Sequence, residues 1–227
     1  MGVWYNLGSQ AVRAVYDARI DTPPVLDEST YFPAARRFVD AWPALRDEAL
    51  VLAERLQSVP RFHELMAEQA DISANDGLDW RMYLLKVYGV DVPDHMAACP
   101  RLAELVASEP DVLSATLSFL APGKHIPKHR GPFRGILRFQ LGLSMPLAGD
   151  GRPAAVLALD DREYRIADGQ CLLWDDTFPH EVWNRSEHTR IALLLDVRRR
   201  GMSADMALLS RLIIGIAGGM ARKRGVV

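Results

Sequence analysis

Gln170-Cys171-Leu172-Leu173-Trp174-Asp175-Asp176-Thr177-Phe178-Pro179-His180-Glu181-Val182-Trp183-Asn184 sets two short apolar runs on either side of a break made of aspartate and proline. Brief runs of aromatic and branched residues closed by Asp and Pro read as strand, turn and strand. Working outward, the same texture recurs at Ser114 to Leu120, Ile136 to Met145, Ala154 to Leu159, Glu163 to Ile166 and Thr189 to Val197. A spacing of about 8 to 12 residues with turn signals between runs predicts a sandwich or jelly roll, not a parallel α/β sheet. The expected fold is mainly β with N-terminal helices: a double-stranded β-helix of jelly-roll, cupin-like type over residues 112–200. Residues 1–111 are read as a helical support region with one or more strands and 201–227 as a C-terminal helix and tail, all in one domain.

Upstream, Val3, Trp4, Leu7, Val12, Val15 and Tyr16 form a weak helical pattern that stops at Pro23-Pro24. Trp42-Pro43 opens a better helix, with proline in its first turn and an apolar stripe of Leu45, Ala49, Leu50, Leu52, Ala53 and Leu56. Ser73 to Leu78 reads as a loop, Trp80 to Tyr88 as a strand, and Pro100 to Ala107 as a short helix ended by Glu109-Pro110.

With 227 residues, 49% hydrophobic and 25% charged, the chain can bury a sizeable single core. A net charge of −2 argues against nucleic acid or an anionic membrane as the main partner, and the basic clusters Arg198-Arg199-Arg200 and Arg222-Lys223-Arg224 are local. Cys99 and Cys171 lie too far apart for a metal pair and are too few for a disulfide framework, so a cytoplasmic setting is expected. No apolar run reaches the roughly 18 to 20 residues of a spanning helix, and no signal segment is evident. Met206 to Met220, interrupted by Arg211, is expected to be a helix docked on the body. Peripheral membrane contact and homodimerisation through a terminal helix stay open.

Chemistry enters with His129 in Lys128-His129-Arg130-Gly131-Pro132, with His180, and with Arg190 ten residues further on. Neutral imidazoles are good Fe(II) ligands, and an arginine on the following strand can grip the distal carboxylate of a 2-oxo acid with two parallel hydrogen bonds. The usual iron face adds one carboxylate, but Gly131 stands where a His-x-Asp motif would carry it. Either two histidines alone hold the metal or a carboxylate arrives from elsewhere, Asp175 and Asp176 being nearest in sequence. Those two aspartates are read in preference as a turn before the His180 strand. His63, His95, His125 and His188 are read as ordinary surface histidines, Trp174 and Trp183 as core or pocket wall, and Cys171 as buried and inert.

Leu117-Ser118 with Ala121-Pro122-Gly123, His129-Arg130-Gly131-Pro132, Leu137 to Leu143, Asp168-Gly169, Trp174 to Trp183, Arg190-Ile191 and Asp196-Val197 resemble the aspartyl/asparaginyl β-hydroxylase family, to which bacterial lipid A hydroxylases also belong. The resemblance is strong from Ser114 to Arg198 and weaker over Trp80 to Gly89. It implies Fe(II)- and 2-oxoglutarate-dependent dioxygenase chemistry at a two-histidine site without the usual carboxylate, which agrees with Gly131. It makes His129 and His180 the iron ligands and Arg190 the partner of the 2-oxoglutarate C5 carboxylate, assisted by Ser118. Arg138 falls where the family has a basic residue near the co-substrate. Gln140 replaces the histidine that the animal peptide hydroxylases set against the C1 carboxylate, and an amide can donate a hydrogen bond but carries no charge.

The resemblance implies hydroxylation of an unactivated C–H by O2, with a peptide or protein side chain as the first substrate class. A lipid acyl chain, supported by Trp80 to Gly89, and a small molecule are the alternatives. A non-catalytic cupin-like module that binds metal and 2-oxoglutarate, and a plain β-sandwich with structural histidines, complete the field.

Overall fold

Strands β4 (Val112–Leu120), β6 (Ile136–Ser144) and β11 (Arg190–Arg198) share one design: apolar residues alternate with polar or small ones, yet nearly every position is buried. Such strands need cover on both faces. In the computed structural model, which describes residues 3–223, they form the centre of a seven-stranded antiparallel sheet. Its other members are β1 (Val25–Leu26), β2 (Trp80–Val87), β3 (Val90–Asp91) and β9 (Cys171–Trp174), in the order β1-β9-β6-β11-β4-β2-β3. The second sheet joins β5 (His125–His129), β7 (Ala155–Leu159), β8 (Arg162–Tyr164) and β10 (His180–Asn184) in the order β5-β10-β7-β8. From β4 to β11 the chain passes back and forth between the sheets, and this alternation is the expected double-stranded β-helix.

Each face of the large sheet has its own cover. Leu117, Phe119, Leu137, Phe139, Leu193 and Leu195 point outward into one apolar core with the helices. That layer comprises α2 (Glu28–Tyr31), α3 (Ala35–Asp40), α4 (Trp42–Ala53), α7 (Pro93–Ala98) and α8 (Pro100–Ala107), following α1 (Val3–Asp17). Phe32, Phe38 and Phe139 meet there with ring centroids 5.4 to 6.1 Å apart. On the inner face, Ser114, Thr116, Arg138 and Asp196 line a cavity between the sheets. The short helix α5 (Phe62–Leu65), with Met66 and Gln69 after it, closes its side, Phe62 stacking on Trp80 at 4.1 Å, and α6 (Ala70–Ser73) follows. The polar half of each alternation therefore faces the site, and the apolar half holds the helices.

Most strands lie within a residue or two of their expected bounds, and α8 spans Pro100–Ala107 as expected. Strand β5 was not anticipated, because Lys124 to Arg130 is polar and contains Pro127. An edge strand tolerates both features, since one row of its backbone groups needs no partner. The short helices α2, α3, α5, α6 and α7 are too brief for a periodic signal. Leu50, expected in the apolar stripe of α4, is exposed, and Leu56 lies beyond that helix in a 3-10 turn. Strands β1 and β2 come from the segment read as support yet pair within the large sheet.

The C-terminal helix α9 (Ala204–Lys223) corrects one expectation. Its 20 residues are long and apolar enough to cross a membrane by length and composition. It nonetheless docks on the body through Met206, Ser210, Ile214, Gly218 and Ala221, with the Tyr16 and Ser210 hydroxyls 2.8 Å apart. The side chains of Val3, Trp4 and Leu7, and the whole of Arg224, lie outside the described residues. Phe139→Ala should destabilise the protein by about 3–5 kcal/mol in urea unfolding, because a fully buried ring between two others leaves a cavity that cannot collapse. A loss below about 1 kcal/mol would show that the helical layer is not seated on this ring.

Candidate active site

His129 ends β5 and His180 begins β10, and the two are direct cross-strand partners with ring centroids 4.1 Å apart. Each Nδ1 lies against a carbonyl two residues back, Pro127 O at 2.8 Å for His129 and Phe178 O at 2.9 Å for His180. A carbonyl only accepts, so each Nδ1 carries the proton and each Nε2 keeps a free lone pair. Burial lowers both pKa values, and His129 and Arg138 press His180 well below the ordinary histidine range. The pair is neutral at physiological pH, which is the form that binds a metal. Trp174 packs edge-on against His180 at 4.7 Å and fixes its other face.

The turn before His180 is anchored from beneath. Asp175 Oδ1 accepts from the Thr177 amide at 3.1 Å and its hydroxyl at 2.6 Å. Asp175 Oδ2 accepts from Arg134 Nε at 2.9 Å and from Arg199. Arg134 also reaches Asp17 at 2.7 Å and Arg199 reaches Thr22 at 3.0 Å, tying the turn to the N-terminal segment.

Asp175 thus keeps the turn role expected of it, and Asp176 lies in the same turn, as expected, but also faces the site. Its carboxylate enters the cavity beside His129 and His180, accepts from Arg138 at 3.2 Å through Oδ2, and leaves Oδ1 without a partner. Burial pushes its pKa up to about 7 against the pull of Arg138. A Cβ on Gly131 would lie 2.1 Å from Asp176 Oδ1. The space that a side chain two residues after His129 would take is filled by a carboxylate from another strand connection. Sequence spacing could not reveal this, because the signal is one of volume. Among the described residues, no group of three or more His, Cys, Asp or Glu converges as a metal cage.

The cavity encloses about 1000 Å³ including its open mouth. Arg138 lies within it, paired to Asp196 at 2.7 Å as well as to Asp176. Burial opposes its charge, but Asp196 and Asp176 outweigh that and raise its pKa above the usual arginine value. One pleat repeat further in, about 7 Å along β6 and β10, a smaller cavity is lined by Gln140, Leu157, Val182 and Arg190. Arg190 is buried, and its one hydrogen bond goes to Ser118 Oγ at 3.4 Å, which also accepts from Trp80 Nε1 at 3.1 Å. Its Nε has no partner, and no carboxylate among the described residues pairs with it. Burial lowers its pKa only to about 10, so it stays cationic. All six residues singled out from sequence therefore lie between the sheets: His129, His180 and Arg138 outside, Gln140, Ser118 and Arg190 within. Of the other histidines, His63 bonds Ser73 at 3.0 Å, His95 stacks on Tyr83, and His125 stacks on Trp183.

The profile of the family described as aspartyl/asparaginyl beta-hydroxylase matches residues 39–200. The chain belongs to this family. It is 33% identical over 179 residues to an ornithine lipid ester-linked acyl 2-hydroxylase of Rhizobium tropici, covering 79% of the chain and 62% of that protein. It is 23% identical over 209 residues to the human aspartyl/asparaginyl beta-hydroxylase, covering 86% of the chain but 26% of that protein. The chain thus spans about three-fifths and about a quarter of the lengths of these two relatives. Among solved structures, a Pseudomonas putida prolyl-4-hydroxylase is 16% identical with a TM-score of 0.42, over 74% of this chain and 100% of that one.

Because both histidine shifts are downward, protons compete with a metal only below the ordinary histidine range. Mn(II) binding, followed by calorimetry, should persist as pH falls through about 6.5 and fail only below it. A loss centred at or above that pH would contradict the neutral pair. Gly131→Ala should lower stability by about 1–3 kcal/mol in thermal unfolding, and Gly131→Ala with Asp176→Ala should recover most of it. No recovery would place the collision elsewhere.

Proposed function

We propose that the protein is an Fe(II)- and 2-oxoglutarate-dependent dioxygenase whose prime substrate is a lipid acyl chain. The observation that carries the reading is the buried, uncompensated guanidinium of Arg190, which lines the smaller cavity between the sheets beside the one that holds a neutral histidine pair. An unpaired buried cation is costly, and a bound carboxylate supplies what it lacks. A diacid could set one carboxylate at Arg190 and Ser118 and its other end near the imidazoles.

The residues fit the implied groups. His129 and His180 would hold Fe(II) through Nε2, and Arg190 and Ser118 would bind the C5 carboxylate of 2-oxoglutarate. Arg138 would set positive charge near the C1 end, and Gln140 would offer a neutral hydrogen bond there. When bound, iron and 2-oxoglutarate supply the activation of O2 that lets an unactivated C–H be hydroxylated. The chain itself orients the imidazoles through the Pro127 and Phe178 carbonyls, excludes water with Trp174 and Trp80, and places Asp176 beside the metal position. With a pKa near 7, Asp176 can hold or release a proton there.

An acyl chain now ranks ahead of the peptide side chain first expected from sequence, for two reasons. Phe62, Leu65, Met66, Met82 and Leu84 give the outer cavity an apolar wall, and the Rhizobium tropici relative bears the name of an acyl hydroxylase. Cys99 and Cys171 are free thiols, which suits a reducing cytoplasm.

The test is 2-oxoglutarate-dependent succinate formation with ester-linked acyl lipids, compared with Asp- and Asn-containing peptides. Stimulation by the lipids alone is expected, and stimulation by the peptides alone would reverse the ranking. Arg190→Ala should weaken 2-oxoglutarate binding at least about thirtyfold, the effect of leaving a buried charge pair half made. Unchanged affinity would remove Arg190 from the site.

A further inference from the structure

We infer that the outward face of α9 is a docking surface for an anionic lipid bilayer, which holds the mouth of the cavity beside the membrane. Nine large hydrophobic side chains are exposed among the described residues, and four of them lie on this helix at every fourth position. Leu208, Leu212, Ile216 and Met220 are 59%, 58%, 65% and 48% exposed. With the exposed Gly215 and Gly219 between them, they make one continuous apolar stripe about three turns long. The opposite face is buried in the body, so both sides of the helix are apolar and only one is covered. A face of this kind marks an interaction site.

Charge decides which partner suits it. The exposed cations of α9 are Arg211, within the stripe, and Arg222 and Lys223 at its end. Its one acid, Asp205, sits in the first turn and is paired to Arg19. An apolar stripe flanked by cations on a helix of about 30 Å is the composition of a helix lying in the headgroup layer of an anionic membrane. Arg211 can bury its methylenes while its guanidinium stays among headgroups. Spanning is excluded as long as Met206, Ser210, Ile214, Gly218 and Ala221 remain packed on the protein.

Continuity with the active cavity gives the face its purpose. The inner side of α9 packs on segments that line that cavity. A Cβ on Gly218 would lie 2.7 Å from the Tyr88 carbonyl, and Met206 and Ile214 share a core with Phe133 and Ile136. Tyr88 and Ile136 both line the cavity, as does the exposed Arg130. A helix seated on the bilayer would bring that opening to the lipid, so the purpose of the surface rests on the acyl-lipid reading, although its test does not.

Vesicle flotation without iron or 2-oxoglutarate tests the proposal. Wild-type protein should float with phosphatidylcholine vesicles containing phosphatidylglycerol and bind pure phosphatidylcholine at least about tenfold less. Leu212→Glu with Ile216→Glu should reduce the binding about tenfold or more, with circular dichroism and Mn(II) binding unchanged because neither side chain is buried. Arg222→Glu with Lys223→Glu should reduce it through charge alone. Wild-type protein that stays with the solvent, or a Leu212/Ile216 variant that floats as well as wild type, overturns the inference. A wild-type mass that doubles in light scattering and halves in that variant also overturns it, assigning the face to a second copy of the chain. If docking fails while detergent-dispersed lipid is still hydroxylated, only this inference falls. If docking holds without turnover of any lipid, the substrate reading falls instead.

Discussion

The register between β5 and β10 is the constraint on which the rest depends. It sets His129 directly opposite His180, and residues directly opposed in an antiparallel pair share one face of the sheet, so both rings enter the same space. Neither strand could do this alone. Strand β5 is a polar edge held by one neighbour, so the position of His180 must come from elsewhere, and it comes from the pairing of β10 with β7 and from the Asp175 turn clamped by Arg134 and Arg199. That clamp is a buried ion cluster. Its value lies less in net stability than in fixing one arrangement, since removing Asp175 would leave the buried Arg199 without a charged partner.

The large sheet solves a second problem with the same economy. A site needs polar groups inside a barrel, while a fold of this size needs a large apolar core. Strands β4, β6 and β11 satisfy both by period-two alternation. Leu117, Leu137, Phe139 and Leu193 bind the helical layer, while Arg138, Gln140 and Arg190 line the interior between the sheets and Ser118 bonds Arg190 there. The polar inner face is then subdivided. Arg138 is compensated by two carboxylates near the histidines, whereas Arg190, deeper in, has none. That asymmetry between two arginines on neighbouring strands gives the site a direction, with an anion seat at its inner end.

Much of this was legible in the chain. The run from Gln170 to Asn184 carried the strand-turn-strand signal, and the motif residues around His129, His180 and Arg190 carried the chemistry. The strand runs that became β4, β6 and β11 were read too, although which of their faces met the helices was not. Three things could not be read. Strand β5 has the composition of a loop and becomes a strand only through its partner. Asp176 looked like a turn residue because its role depends on the missing side chain of Gly131, 45 positions away, and proximity of that kind is tertiary. The two-sided apolar character of α9 appeared in sequence as a short hydrophobic run, and only docking showed which half is left uncovered.

The central claim is that a neutral histidine pair and an unpaired arginine form one site for iron and a 2-oxo diacid. The most direct measurement is the visible charge-transfer absorption that forms when Fe(II) and 2-oxoglutarate are added together without oxygen, recorded for wild type, His180→Ala and Arg190→Ala. The account predicts a band in wild type, none in His180→Ala, and one in Arg190→Ala only at much higher 2-oxoglutarate. No band in a folded wild-type protein that has bound the metal would contradict it.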